Sequence, residues 1–451
     1  MRRGLLILLL LGCSSAPALA QNNPVPFVNQ PLVPSAVAPG GPDFTLTVNG
    51  TGFVNGATVN WNGTALATTF VSSSQLTATV PAAHTALIGT ATVTVINPGP
   101  GGGASIPALF PVNFAGSVTG RWTSVSAGGT LQVAGSSATG DFNGDGFLDL
   151  ALPYRQSGVA ILQGDGMGGF TLNPSVPSTG SNPLAIAVGD FNGDGKLDLA
   201  VTNCSPGSNC NFLGGGGTGP GSVTILLGDG AGNFTVGSSF ATGTNPTSVT
   251  VGDFNGDGNI DMVVANTDSN DLTILLGDGT GNFTSTQWVS GTVGQGVAVA
   301  AGDFNGDGKL DLATTGGILL GDGKGGFTLA PSSVGGGFAI VVADFNGDGK
   351  LDIALGSSTS KVTLYLGDGA GGFTAAGTYD TEPPGCAVAC YPGVVEALAA
   401  IDIDNDGKPE LAILSDAFGL FVASVSGTGQ LSIQPVPFTS TNQTYPASLA
   451  V

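Results

Sequence analysis

Histidine occurs once in 451 residues, and lysine and arginine together only ten times. With His84 as the sole imidazole, Ser-His-Asp hydrolysis in the repeat region and His-based zinc sites lack their parts. Ten basic residues against 31 acidic ones leave a formal charge of −21. No basic patch exists to meet phosphate, which excludes nucleic-acid binding. Charged residues are scarce at 9%, yet hydrophobic content is 41%, which separates the chain from acidic disordered tails. No apolar run approaches the roughly 18 residues needed to read as a transmembrane helix. Glycine, by contrast, is abundant: 77 residues, enough to break long helices throughout. What remains is a Gly-rich, all-β chain with concentrated acid.

Residues 1–20 read as a signal peptide: a basic Met1-Arg2-Arg3 start, an apolar run from Leu5 to Leu11, and a small-residue cleavage signal at Ala18-Leu19-Ala20. Within it, Leu10-Leu11-Gly12-Cys13 resembles a bacterial lipobox, which makes a lipid anchor at Cys13 the alternative to release after Ala20. Both readings place the protein outside the cell, secreted or at the cell surface. The other cysteines form two local pairs, Cys204 with Cys210 and Cys386 with Cys390. In an oxidising compartment these read as two loop disulfides, each contributing roughly 2 kcal/mol. Free thiols or a metal site are the alternative, with no His nearby.

Residues 24–115 hold a single acid, Asp43, and a series of short alternating strands over 44–48, 58–61, 75–80 and 90–95, bounded by turns such as Asn49-Gly50 and Asn62-Gly63. Several strands in about ninety residues predict an immunoglobulin-type sandwich. The run GGPDFTLTVNGTGF (40–53) resembles the IPT/TIG family of immunoglobulin-like modules, which implies a spacer or interaction domain. The PGPGGG stretch (98–103) is either a last hairpin or the start of a linker.

From residue 141 an acidic nonamer repeats: DFNGDGFLD (141–149), then near-identical copies from 190, 253, 303 and 344, and a divergent DIDNDGKPE (402–410). The copies start 49, 63, 50, 41 and 58 residues apart, so one unit spans about fifty. Oxygens at positions 1, 3, 5 and 9 of a tight loop can converge on one hard cation, with the position-6 glycine taking positive φ. The candidate ligands are Asp141, Asn143, Asp145 and Asp149; Asp190, Asn192, Asp194 and Asp198; Asp253, Asn255, Asp257 and Asp261; Asp303, Asn305, Asp307 and Asp311; Asp344, Asn346, Asp348 and Asp352; and Asp402, Asp404, Asp406 and Glu410. Nineteen of the 31 acids fall in these nonamers. Read as having no basic partner, such clusters repel unless a counterion neutralises them. Calcium, up to six ions, suits flexible sites of several oxygens. Acidic β-turns without an ion are the alternative.

A second motif follows each of the first five copies, GDGMGGF (164–170) and its equivalents with Asp229, Asp278, Asp322 and Asp368. It reads as a hairpin turn whose Phe returns to the core. Each unit then parses as four strands, a propeller blade. These residues resemble the FG-GAP/VCBS repeat family, the repeat of the integrin α-subunit propeller, over residues 125–451. The resemblance implies calcium on the loop between the first two strands of each blade.

The predicted architecture is therefore all-β: an Ig-like β-sandwich, then a six- or seven-bladed propeller over 120–451. A composite seventh blade arises if residues 447–451 pair with 117–135; a truncated sequence is the alternative. Two enlarged connections, 198–228 and 367–402, carry the cysteine pairs and fall opposite the acidic loops. That face is expected to meet an extracellular protein or glycan ligand, with variable loops lacking any ligand as the alternative. No carboxylate pair outside the loops is readable as catalytic. The expected function is a non-catalytic, calcium-binding protein of adhesion or extracellular recognition; the alternative is a lectin or lyase-like carbohydrate-active propeller.

Overall fold

A computed structural model describes residues 23–29, 32–34, 36–87, 89–112, 136–154, 158–165, 169–174, 177–208, 210, 216–290, 298–331, 334–381, 394–401, 408–415 and 419–435. The leader, Cys13, Cys386, Cys390, Asp402, Asp404, Asp406 and both halves of the expected composite blade lie outside these residues.

Two sheets make the N-terminal domain. One runs in the order Phe27–Val28, Phe44–Thr51, Gln75–Val80, Ala67–Ser72. The other runs Thr64–Ala65, Thr58–Trp61, Gly89–Asn97, Gly103–Ala104, with Ala108–Val112 also paired to Gly89–Asn97. Alternation drives the closure: Leu46 and Val48, Leu76 and Val80, and Val93 and Val95 all point inward and are wholly buried. Trp61 and Phe110 fill the centre with ring centroids 5.0 Å apart. The PGPGGG stretch is the turn of a hairpin, since Ile96 pairs with Ala104 and Asn97 with Gly103. His84 lies in a short 3₁₀ turn, Ala82–Thr85.

Among the described residues six antiparallel four-stranded sheets follow, each paired in sequence order. Blade one is Ala138–Gly140, Asp149–Tyr154, Gly158–Gly164 and Phe170–Leu172; blade two is Ser181–Gly189, Asp198–Cys204, Pro220–Gly228 and Phe234–Thr244. Blade three is Pro246–Gly252, Asp261–Asn266, Asp271–Gly277 and Phe283–Ser290; blade four is Val299–Gly302, Asp311–Thr314, Gly317–Gly321 and Phe327–Leu329. Blade five is Ala339–Ala343, Asp352–Gly356, Lys361–Gly367 and Phe373–Asp380; blade six is Val395–Ile401, Glu410–Ser415, Gly419–Val425 and Leu431–Pro435.

Burial explains the strand chemistry. Every residue of Asp261–Asn266 is buried, as is every residue of Asp198–Cys204, Asp311–Thr314, Asp352–Gly356 and Glu410–Ser415. A second strand is covered on both faces by neighbouring blades, so it reads as a continuous apolar run. Fourth strands lie at the rim and are largely exposed, as in Phe327–Leu329. The first strands of successive blades pack against one another, which wraps the blades about a common centre.

Candidate metal loops

Register sets the loop length. In every blade the residue before the nonamer pairs with its ninth residue: Gly140 with Asp149, Gly189 with Asp198, Gly252 with Asp261, Gly302 with Asp311, Ala343 with Asp352 and Ile401 with Glu410. Positions 1–8 therefore form one closed loop between the first two strands. The position-6 glycine has the expected positive φ, +86° at Gly146 and +90° at Gly258.

Each oxygen-bearing residue of the loop accepts from at least one backbone amide. In loop one, Asp141 Oδ1 accepts from the Gly144 and Asp145 amides at 2.7 and 3.2 Å, and its Oδ2 from Gly146 at 2.9 Å. Asn143 Oδ1 accepts from the Asp145 amide at 2.8 Å, and Asp145 Oδ1 from Phe147 at 2.8 Å. Asp190 and Asp344 repeat the first pattern, Asn192, Asn255, Asn305 and Asn346 the second, and Asp194, Asp257, Asp307 and Asp348 the third.

The ninth residue does something the spacing did not disclose. Asp149, Asp198, Asp261, Asp311 and Asp352 are completely buried. In each, Oδ2 accepts the amide of the position-2 Phe, and Oδ1 accepts the amide of the glycine that opens the second motif. For Asp261 these bonds, from Phe254 and Gly277, are 2.9 and 2.8 Å. The side chain thus ties the loop to the end of the third strand. Burial, with the loop's other acids adding, pushes Asp198 and Asp311 up to about 6, Asp352 to about 7 and Asp261 to about 8.

The second motif is the hairpin turn expected of it. Asp229 Oδ1 accepts the Ala231 and Asn233 amides, and the Asn233 side chain holds its pKa below the usual carboxylate range. The motif also laces neighbouring blades: its third glycine donates to the position-2 carbonyl of the preceding blade's loop, Gly232 to Phe142, Gly281 to Phe191, Gly325 to Phe254 and Gly371 to Phe304. The recurring Phe at position 2 was a signal for this seam.

One expectation needs correcting. Three loops do carry a basic partner, at position 7: Lys196 lies 4.0 Å from Asp194, Lys309 3.3 Å from Asp307 and Lys350 3.9 Å from Asp348. These pairs are exposed and screened.

Does the donor set suit calcium? An ionised carboxylate offers about four acceptor positions and an amide oxygen two. In loops one, two and five, the amide bonds leave at least one position on each of the four oxygen-bearing residues. Hard oxygen donors of this kind fit calcium chemically. Among the described residues, no three acids or other metal-binding side chains stand clustered tightly enough to grip an ion as placed. Glu410 is buried at its strand start.

The loop face is not free. The sandwich rests on it: Val25 donates to Asp253 Oδ2, Thr51 to Asp303 Oδ2, and Thr90 to the Gly146 carbonyl. None of the three was singled out in the sequence. On the opposite face, Cys204 and Cys210 form a disulfide at the start of the enlarged blade-two connection. No helix among the described residues is long and apolar enough to cross a membrane.

The FG-GAP-like repeat matches residues 141–201, 212–264, 253–314 and 344–413, and the FG-GAP repeat matches 182–226. The IPT/TIG domain matches residues 30–112. No curated protein matches the sequence. Solved structures similar to it include a protein from Lactobacillus plantarum (15% identity, 64% of this chain and 77% of that one, TM-score 0.45). Another is the periplasmic gluconolactonase of Pseudomonas aeruginosa (21% identity, 65% and 84%, TM-score 0.45). At that distance they carry nothing about activity. With repeats over half the chain and the sandwich ahead of them, the protein belongs to the FG-GAP-like repeat family and carries an N-terminal IPT/TIG domain.

Proposed function

We propose that this protein is an exported, non-catalytic recognition module whose acidic loops hold calcium as a structural ion. One observation carries the reading. After their amide bonds are made, Asp141, Asn143, Asp145 and Asp149 each keep an acceptor position, and so do their counterparts in loops two and five. Calcium would supply positive charge there and offset the burial, and the lesser repulsion from the loop's other acids, that hold protons on the buried ninth residues. Loop six would add Asp402, Asp404, Asp406 and Glu410. A non-catalytic role is supported by the engagement of the loop carboxylates in backbone bonds and by the placement of His84 beside Trp61, with ring centroids 6.4 Å apart. Export is supported by the leader-like first twenty residues and by a disulfide suited to an oxidising compartment.

The partner is expected to be an extracellular protein or glycan, met on the face that carries the Cys204–Cys210 connection. Calorimetric titration of metal-stripped protein tests the ion. At about ten times Kd each filled loop adds roughly 1.4 kcal/mol, so chelation should lower the melting temperature by several degrees. No heat of binding and an unchanged melt would reject the reading. Glycan arrays with and without calcium separate adhesion from the lectin alternative, which reproducible sugar binding would favour.

A further inference from the structure

The first Asp of the nonamer is not alike in all loops. Asp141, Asp190 and Asp344 each accept three hydrogen bonds, all from their own loop. Asp253 accepts four: Gly256 and Asp257 on Oδ1 at 2.7 and 3.2 Å, Gly258 on Oδ2 at 3.0 Å, and the Val25 amide on Oδ2 at 2.9 Å. Asp303 also accepts four: Gly306 and Asp307 at 2.7 and 3.2 Å, Gly308 at 2.9 Å, and the Thr51 hydroxyl at 3.3 Å. A carboxylate has about four acceptor positions. Those of Asp253 and Asp303 are full, and the sandwich supplies the fourth donor to each.

The placement is built rather than grazing. Val25 lies between Pro24 and Pro26, so its amide is the only donor in that run, and the flanking prolines hold it extended. Two residues on, Phe27 packs against the apolar core between blades three and four, and Ile106 packs against the core of blades two and three. Gly258 permits the approach: a Cβ there would lie 3.2 Å from the Gly102 nitrogen and 3.3 Å from the Gly101 Cα. At blade one the seam is looser. A cavity of about 280 Å³ opens between His84 and Leu87 on the sandwich and Asp145 and Phe147 on the loop.

We propose that the IPT/TIG sandwich plugs loops three and four: the Val25 amide and the Thr51 hydroxyl occupy the acceptor positions on Asp253 and Asp303 that a calcium ion needs, so docked sandwich and bound ion exclude one another there, while loops one, two and five remain open. The inference rests on the calcium reading above. Coupling of this kind is reciprocal. Docking weakens calcium at two loops, and calcium at those loops weakens docking.

The test uses the full chain, with calorimetric calcium titration beside hydrogen exchange at the Val25 amide. Wild type should show a tight class of sites that fills with Val25 protected, then a weaker class whose filling releases that protection. Thr51→Val, an isosteric loss of the hydroxyl, and Val25→Pro, which removes the amide, should each move one weak site about tenfold tighter. Thr51→Val keeps the test decisive if the proline variant fails to fold. Filling of every loop with Val25 still protected, or variants that titrate like wild type, would overturn the plug while leaving calcium binding intact. Absence of calcium uptake in all three proteins would overturn the calcium reading and the plug with it.

Discussion

Phe191 meets Phe283 edge-on, with ring centroids 5.8 Å apart and planes at 74°. The pair joins the loop of blade two to the outer strand of blade three. Phe142 with Phe234, Phe254 with Phe327 and Phe304 with Phe373 repeat it between the next neighbours, at 5.5 to 5.8 Å. The acidic loop is therefore also the hinge pin between blades. Phe191→Ala should cost about 3–5 kcal/mol in denaturant melts. Since each blade touches only its neighbours, hydrogen exchange should rise in blades two and three and stay unchanged in blade five.

Stability without calcium should fall as pH rises. Burial raises the folded pKa of Asp261 to about 8 and that of Asp352 to about 7. Below about pH 4 both the folded and the unfolded carboxyls are protonated, and no penalty applies. Between about 4 and 8 the unfolded chain releases protons that the folded chain keeps, so stability declines with pH and levels off above about 8. Chelated protein should melt at a higher temperature at pH 5 than at pH 8, and calcium should shrink that difference. A chelated melt that rises from pH 5 to pH 8 would contradict the burial of these groups.

Gly277 tolerates no side chain. A Cβ there would sit 2.2 Å from the carbonyl oxygen of Ile260, and the same approach recurs at Gly164, Gly228, Gly321 and Gly367. Gly277→Ala should push apart the strands that Asp261 ties together. A loss of about 1–3 kcal/mol is expected, read by thermal melting in chelator so that ion binding does not enter.

The Cys204–Cys210 bridge closes a short loop of sequence separation six. Reduction, or Cys204→Ser with Cys210→Ser, should cost about 2 kcal/mol. Mass spectrometry before and after reduction should register the gain of two hydrogens at this pair; no gain would show the bridge absent.

Much of this fold was legible along the chain. Alternation predicted strands at 44–48, 58–61 and 75–80, and the structure has Phe44–Thr51, Thr58–Trp61 and Gln75–Val80, because a half-buried strand alternates whatever its partners. The nonamers and their spacing gave four-stranded units, because a blade cannot bury its faces alone and so recurs. The position-6 turn was legible as well, since only glycine takes that φ cheaply. The second role of Asp261 was not legible. Its partner Gly277 lies sixteen residues away, and an acid that accepts amides reads the same as one that awaits an ion.

Local chemistry, then, was enough to establish the all-β repeat, the acidic nonamer that closes the loop and the oxygen donors within it, because those depend on neighbours in sequence. Which acceptor positions stay open is a long-range matter. Val25 reaches Asp253 across 228 residues and Thr51 reaches Asp303 across 252. No periodicity encodes such a contact; it exists because folding lays the sandwich on the loop face and brings its donors within hydrogen-bond distance of two carboxylates out of five.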